Sequence, residues 1–433
     1  MPIRNRDALA VTPARKAALA VADAALAAID TGAAIRRAVE LSADTLRVAG
    51  DLLPLGPGGR LRLVAVGKCA VAAAVALAER LGDRLADGIV LDAAEAAARP
   101  PARLRILRGT HPLPSAANVA GTREILRFLE GGGPDDVVLC VVSGGGSTLL
   151  CLPPGGASVD DERAVLQVLM RAGATIGEIN TVRKHSSLAR GGQLARAARP
   201  ARVAGLVFSD VPGGTIDLVA SGPTVRDPST VADAERVLAR YGLPASAGLE
   251  RFPLVETPKE VPPLDAVRNA VLVSNRLALE AMAAAARSQG LAAEVKTATL
   301  GGEARDVAAR VAADLRAAPP GTALLYGGET TVTVRGRGRG GRNLELALAA
   351  LGEVRDDDLV LTLASDGRDN GDLAGAIADA VTRAAAERAG ADPGVHLADN
   401  NSYGFFERVP HALETGSTGA NVADLIVALH ARA

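Results

Sequence analysis

The run Val137-Val138-Leu139-Cys140-Val141-Val142 passes directly into Ser143-Gly144-Gly145-Gly146-Ser147-Thr148, after which Leu149-Leu150 restore the apolar pattern. Six consecutive apolar residues closed by a turn read as a strand buried on both faces, the kind found in parallel sheets sheathed by helices. No other stretch limits the choice of fold as much. Three glycines at the carboxyl end of that strand leave a turn without Cβ atoms. Backbone N–H groups can then close around an anion, and the flanking hydroxyls can add donors. Ligands of open α/β sheets bind at this edge. Gly-rich turns also follow strands with no ligand to hold. The spacing matches neither Gly-x-x-x-x-Gly-Lys-Ser/Thr nor Gly-x-Gly-x-x-Gly, so neither usual nucleotide fingerprint applies.

The rest of the chain repeats the alternation. A strand over 61–66 leads through Gly67-Lys68 into an Ala-rich helix over 69–81, and further strands are expected at 89–91, 104–107 and 203–208. Helices are expected within 15–50, at 118–129 and at 160–171. Strands and helices alternating at these lengths imply right-handed βαβ units around a parallel sheet. Prolines 244, 253, 258, 262 and 263 mark a linker at 242–266. Beyond it the pattern restarts, with strands at 270–273, 292–297, 322–326, 330–334 and 359–363 and helices at 276–289, 303–317 and 343–351. The expectation is an α/β protein of two domains, 1–241 and 267–433, with a cleft between them and the last segment free to pack back on the first domain.

Composition narrows the partners. The 433 residues are 48% hydrophobic but only 2% aromatic, and the formal charge is −1. That speaks against base stacking and against broad attraction to nucleic acid or acidic membranes. Cys69, Cys140 and Cys151 show no metal spacing and no disulfide framework. No signal peptide or 18-residue apolar span is read, so the expectation is a cytoplasmic protein with neither nucleic-acid nor membrane partner. Only five of 48 basic residues are lysine, which draws the eye to Lys68 and Lys184 in site-like positions.

Six clusters could carry chemistry. Lys68, between a strand and a helix start, reads as an oxyanion clamp or as a surface lysine. His111, in Thr110-His111-Pro112-Leu113-Pro114, reads as structural for catalysis, with a binding-loop role open. Asn180, Arg183 and Lys184 lie in an eight-residue polar run and can receive a carboxylate or phosphate. Asp210, after a buried strand, suits Mg²⁺, a hydroxyl proton or an N-cap. Gly327-Gly328-Glu329-Thr330-Thr331 and the Gly/Arg loop 335–342 read as a second anion site, with a flexible arginine loop over a polyphosphate. Asp366, Asp369 and Asp372 share a turn, which suits a hard cation or a solvated acidic loop. Together they supply the positioning groups, cations and carboxylates that phosphoryl transfer needs.

In these segments the chain resembles the glycerate 2-kinase family, the two-domain type with a C-terminal MOFRL domain. The matching runs include Val66-Gly67-Lys68, His111-Pro112, Ser143–Ser147, Glu178–His185, Ser209-Asp210-Val211, Gly327–Thr331, Gly341-Arg342-Asn343, Asp366-Gly367 and Thr415-Gly416. They follow family order from about residue 60 onward. The resemblance implies two Rossmann-like parallel-sheet α/β domains with the active site in the interdomain cleft. It implies ATP- and Mg²⁺-dependent phosphorylation of the 2-hydroxyl of D-glycerate, with Lys68 and Arg342 as the cationic catalytic pair.

On that reading Ser143, Gly144, Gly145, Gly146, Ser147, Gly328, Glu329 and Thr330 hold the nucleotide. Asn180, Arg183, Lys184 and His111 hold the substrate, and Asp210 and Asp366 serve as metal ligands, with Asp210 also catalytic. A homodimer fits as well. Gly214, Ser186, Leu344, Asn370, Asn401, Ser417 and Ala420 depart from the family pattern. Alternatives are a kinase for a larger hydroxy or sugar acid, a hydroxypyruvate reductase, and a non-catalytic ligand-binding relative.

Overall fold

The structure is a computed structural model. It describes residues 3–42, 44–93, 100–213, 215–242, 252–259 and 266–431. The chain forms two compact units. One holds the described residues of 34–209 and 214–272, and the other holds those up to 33 together with 210–213 and 273–433.

The first unit opens with a three-stranded antiparallel sheet, β1 (Val39–Leu41), β2 (Thr45–Val48) and β3 (Asp51–Pro54), where only helix was expected. Its main sheet contains β4 (Leu61–Val66), β5 (Leu85–Asp92), β6 (Leu104–Arg108), β7 (Val137–Ser143), β8 (Arg202–Phe208) and β9 (Val267–Val273). The order is β6-β5-β4-β7-β8-β9, and each neighbouring pair from β6 through β8 is parallel. Every residue of β4 and β7 is buried, as their unbroken apolar runs require. This is the doubly wound order, and it reverses between β4 and β7. Gly67-Lys68 and Ser143–Ser147 leave the carboxyl ends of those two strands.

The second unit has a sheet ordered β10-β11-β15-β12-β13-β14, from β10 (Ala292–Leu300), β11 (Thr322–Gly328), β12 (Asp358–Ala364), β13 (Gly375–Asp379), β14 (Ala412–Leu413) and β15 (Asp424–His430). The expected second parallel sheet holds only for β10 and β11. β15 runs antiparallel to both β11 and β12, and the β13 and β14 pairings are antiparallel too. A terminal strand inserted in the centre cannot be seen from βαβ spacing. The expected strand at 330–334 is a single bridge, Glu303 to Thr331, because the Glu303 carboxylate takes the backbone N–H and hydroxyl of Thr333 instead.

The N-terminal helix Pro13–Ile29 belongs to this mixed-sheet unit and not with the residues that follow it. Arg15 is fully buried there, and its guanidinium bonds both oxygens of Asp379, at 2.7 Å each. The Pro-rich stretch does not separate the units. Residues 252–259 pack inside the parallel-sheet unit, with Phe252 in a core cluster beside Leu169 and Val182, while 243–251 and 260–265 lie outside the described residues. Among the described residues no single helix is long and apolar enough to cross a membrane, although Pro13–Ile29 and Thr31–Ala38 pass that test together as a pair bent by 64°.

Candidate active site

At the point where the strand order of the parallel-sheet unit reverses, two loops touch. The Lys68 backbone N–H donates to the Gly144 carbonyl at 2.9 Å. Gly67 has φ +121°, and a Cβ there would lie 2.6 Å from the Ser143 carbonyl oxygen, so only glycine lets the loops come this close. The exposed Lys68 side chain lies across Gly145. A Cβ on Gly145 would sit 3.2 Å from Lys68 Cγ and 3.3 Å from His111 Cδ2. Lys68, His111 and the glycine turn therefore face one space.

Buried Asn118 fixes the His111 loop. Its Oδ1 accepts from the Thr110 and Ser115 backbone N–H groups, and its Nδ2 donates to the Thr110 and Thr148 carbonyls. Burial, then the Lys68 and Arg183 charges, lower the His111 pKa, so the imidazole is neutral at pH 7. Sequence reading missed Asn118, because its role rests on contacts eight and thirty residues away. On the other side of the turn, Ser147 Oγ shares a hydrogen bond with Ser221 Oγ at 2.9 Å. Ala220, Ser221 and Gly222 there are three consecutive residues at φ +51° to +59°. Such a run costs free energy in non-glycine residues and persists only where surrounding structure fixes it.

The polar run 178–185 divides. Arg183 is half-buried, and no carboxylate lies within 4.0 Å of it among the described residues. Burial and the neighbouring Arg190 push its pKa down to about 10. Lys184 and Asn180, both expected to hold substrate, point into the interior. The Lys184 ammonium sits 3.0 Å from Asp217 and 3.3 Å from Asp227, and Asn180 Nδ2 donates to the Asp217 carbonyl at 3.4 Å. A buried ammonium needs such partners, so its charge is already matched.

In the mixed-sheet unit the antiparallel insertion of β15 decides the site. Asp424, its first residue, pairs with Gly328 on one side and Ala364 on the other. Arg342, at the start of the helix Arg342–Ala350, donates from Nε to Asp424 at 2.6 Å, and its Nη1 forms an ion pair with Glu329 at 2.5 Å. Asn343 Nδ2 donates to Asp424 at 2.8 Å, and Asp369 takes the backbone N–H groups of Asn343 and Leu344. Burial pushes the Asp424 carboxyl up to about 6 despite Arg342, and raises Asp369 as well. Neither acid was singled out for this role: Asp424 stands 82 residues from Arg342, at a strand start.

Three expectations change here. The glycines at 327 and 328 serve packing: a Cβ on Gly327 would lie 2.0 Å from Asn275 Oδ1, and one on Gly328 2.2 Å from the Leu300 carbonyl oxygen. Thr330 beside them is buried. The Gly/Arg loop, expected to be flexible, is tied to a distant segment. Backbone N–H groups from Arg335 to Arg339 donate to the 399–401 segment, and its glycines press against that segment while Arg335, Arg337 and Arg339 face outward.

The three aspartates of the 366–372 turn do not converge on a cation. Asp366 accepts from the Arg368 N–H, Asp369 caps a helix, and Asp372 accepts from Tyr403. Among the described residues, the group of three acidic or histidine side chains close enough to share an ion is Asp357, Asp358 and His430, at the far end of β15, where Arg355 pairs with both carboxylates. Asp210 lies in the 210–213 segment, whose Gly213 packs on Thr299. Beside Asp366-Gly367 is a cavity of about 740 Å³ lined by Arg4, Arg368, Asn370, Asp372 and Glu414.

Comparison with known proteins gives this inventory a family. A model described as a domain of unknown function, DUF4147, matches residues 17–251, and the MOFRL family model matches 322–424. The glycerate 2-kinase of Pyrococcus horikoshii is 35% identical over 96% of this chain and 97% of its own. A putative hydroxypyruvate reductase of Agrobacterium vitis is 38% identical over 89% and 90%. A D-glycerate 2-kinase of Thermotoga maritima is 37% identical over 88% and 94%. The crystal structure of a glycerate kinase from that organism superposes with a TM-score of 0.84, covering 95% of this chain and 97% of the other. Both domain matches fall in the same chain, and the likeness runs through nearly its whole length. The chain is a member of the glycerate 2-kinase family with a C-terminal MOFRL domain.

Proposed function

We propose that the protein is an ATP- and Mg²⁺-dependent kinase that phosphorylates the 2-hydroxyl of D-glycerate. The observation that carries this reading is the Lys68 ammonium, unpaired among the described residues and laid over the Ser143–Ser147 turn at the sheet's switch point, where α/β sheets bind their ligands. Phosphoryl transfer asks little covalent chemistry of a protein and much positioning and charge neutralisation. The substrate 2-hydroxyl oxygen bonds to the γ-phosphorus as the bond from that phosphorus to the leaving ADP oxygen breaks. Lys68 and Arg342 neutralise charge on the transferring group. Arg342 can do so only with its guanidinium held, and Asp424 and Glu329 hold it.

Mg²⁺, when bound with the nucleotide, would neutralise phosphate charge and would take one or two protein carboxylates. Asp366, whose Oδ1 alone is engaged among the described residues, would offer such a carboxylate, and Asp210 and Asp366 would divide the metal and the hydroxyl proton between them. The cavity beside Asp366 is in the size range of a nucleotide seat. Reduction of hydroxypyruvate, the activity in the Agrobacterium relative's name, would need a dinucleotide site; the Gly-x-Gly-x-x-Gly spacing at Gly336, Gly338 and Gly341 is not led into by a strand, and Gly336 and Gly338 pack on Asp399 and Asn401, not around an open turn. An assay of ADP release with Mg·ATP and D-glycerate, run beside NADH and NADPH oxidation with hydroxypyruvate, tests the proposal. Nicotinamide oxidation without ADP release would refute it.

A further inference from the structure

If the protein phosphorylates a 2-hydroxy acid, the structure also points to where the acid group goes. We propose that the small cavity beside the Ser143–Ser147 turn receives the substrate carboxylate, held between Arg183 and Arg190. The cavity has a volume of about 40 Å³ and is walled by Pro112, Ser147, Leu166, Met170 and the two arginines. One water needs about 10–15 Å³ of such space, so the cavity admits a group of a few heavy atoms, the size of a carboxylate.

Its charge is unbalanced in the required sense. Glu162 also lines the cavity and is 1% exposed, with its Oε1 2.7 Å from Arg190 Nη2. Arg190 Nη1 donates to the Arg183 carbonyl at 3.1 Å, but its buried Nε has no acceptor. Arg163 at the rim is paired with Asp160. One carboxylate therefore faces two guanidinium groups, and among the described residues Arg183 makes no ion pair of its own. A half-buried cation in that state costs free energy that folding does not recover, and a ligand carboxylate would recover it through two-point hydrogen bonding. Burial and Arg190 already lower the Arg183 pKa, the mark of a cation short of a counter-charge.

The position suits the chemistry. Pro112 and Ser147 in the cavity wall adjoin His111 and the glycine turn that Lys68 overlies, so an acid anchored in the cavity has its second carbon beside that turn. Such a pocket reads the carboxylate and leaves the far end of the acid unmeasured. Longer 2-hydroxy acids are therefore accepted, and the corresponding amides are not.

Steady-state kinetics and calorimetric titration with D-glycerate and D-glyceramide, on the wild type, Arg183→Gln and Arg190→Lys, test this. Arg183→Gln should raise the D-glycerate KM and Kd by about 10- to 100-fold, with the ATP KM within about twofold and acid-over-amide selectivity reduced. Its melting temperature should stay near the wild-type value, because no ion pair is lost. Arg190→Lys, which keeps the charge but not the fork, should shift KM in the same direction. An unchanged D-glycerate Kd in Arg183→Gln, or an equal rise in the ATP KM, overturns the assignment. A wild type that binds D-glycerate without turnover, and loses that binding in Arg183→Gln, keeps the pocket and discards the kinase. A wild type that binds no 2-hydroxy acid discards the pocket.

Discussion

Lys68 and Arg342 illustrate two ways of presenting a cation. Lys68 is exposed and rests on a glycine turn, so removing its ammonium should leave the fold intact. Loss of one preorganised donor to transition-state charge typically costs 10²- to 10³-fold in kcat. Lys68→Ala is expected to lose about that much, with an unchanged circular dichroism spectrum and melting temperature. Arg342, by contrast, is tied to Asp424, whose carboxyl burial has pushed up to about 6. As pH falls through 6 that carboxylate takes a proton and its grip on Arg342 weakens. Activity should therefore fall on the acid side with an apparent pKa near 6, and Asp424→Asn should abolish that limb while lowering kcat at neutral pH. A pH–rate profile of the two proteins checks this.

Asn370 is a departure whose effect the sequence leaves open and the backbone explains. It stands where the family usually has glycine, and its φ is +58°, a conformation asparagine adopts at little cost. Leu344 is fully buried, and Asn401 caps the helix Ser402–Arg408 while accepting from Arg339, so both departures serve local packing. Gly214 lies outside the described residues.

At the scale of elements, most strands and helices stand within a few residues of their expected places, because long apolar runs and Ala-rich periods leave little choice. The failures share one cause. Residues 39–54 form a hairpin sheet, β15 enters antiparallel, and the Gly/Arg loop is fixed by a distant segment. Each depends on partners far along the chain, which local patterns do not encode. The same holds for the site: Lys68 and the glycine turn were legible as a strand end, but Asn118, Asp424 and the buried fate of Lys184 were not.

Two element-level outcomes follow. Gly338→Ala places a Cβ 2.5 Å from Asn401 Cα, so the loop must leave its wall, at a cost of about 1–3 kcal/mol in urea unfolding. Asp136 sits at the start of β7 and is buried. Burial alone would raise its pKa, but hydrogen bonds from Arg60 and Gly133 hold it at about 2 against an ordinary 3.8. A depressed carboxylate stabilises above its unfolded pKa. This contribution, about 2 kcal/mol, is complete above pH 4 and lost as pH falls toward 2. Asp136→Asn should flatten the dependence of unfolding free energy on pH in that window.

For the whole molecule, the family is plain from motif order, while the allotment of chain to units is not. The helix Pro13–Ile29 packs in the mixed-sheet unit, and Arg15 is locked to Asp379 with both side chains buried. Removing one partner of such a pair typically costs 3–5 kcal/mol. Arg15→Ala is expected to lower stability by about that much, and a fragment beginning at residue 267 should fail to fold without the N-terminal helix. Thermal unfolding of both would show it. A stable fragment would mean that the N-terminal helix is not part of that unit.

The central claim is that the protein transfers the γ-phosphoryl group of ATP to the 2-hydroxyl of D-glycerate, with Lys68 over the glycine turn as a cation that transfer needs. The most direct test is ³¹P NMR of a reaction of wild-type protein with Mg·ATP and D-glycerate, with Lys68→Ala alongside. The account predicts growth of a 2-phosphoglycerate signal matched by ADP, and its near-absence in the variant. A phosphate on the 3-position, no phosphorylated acid at all, or full activity in Lys68→Ala would contradict it.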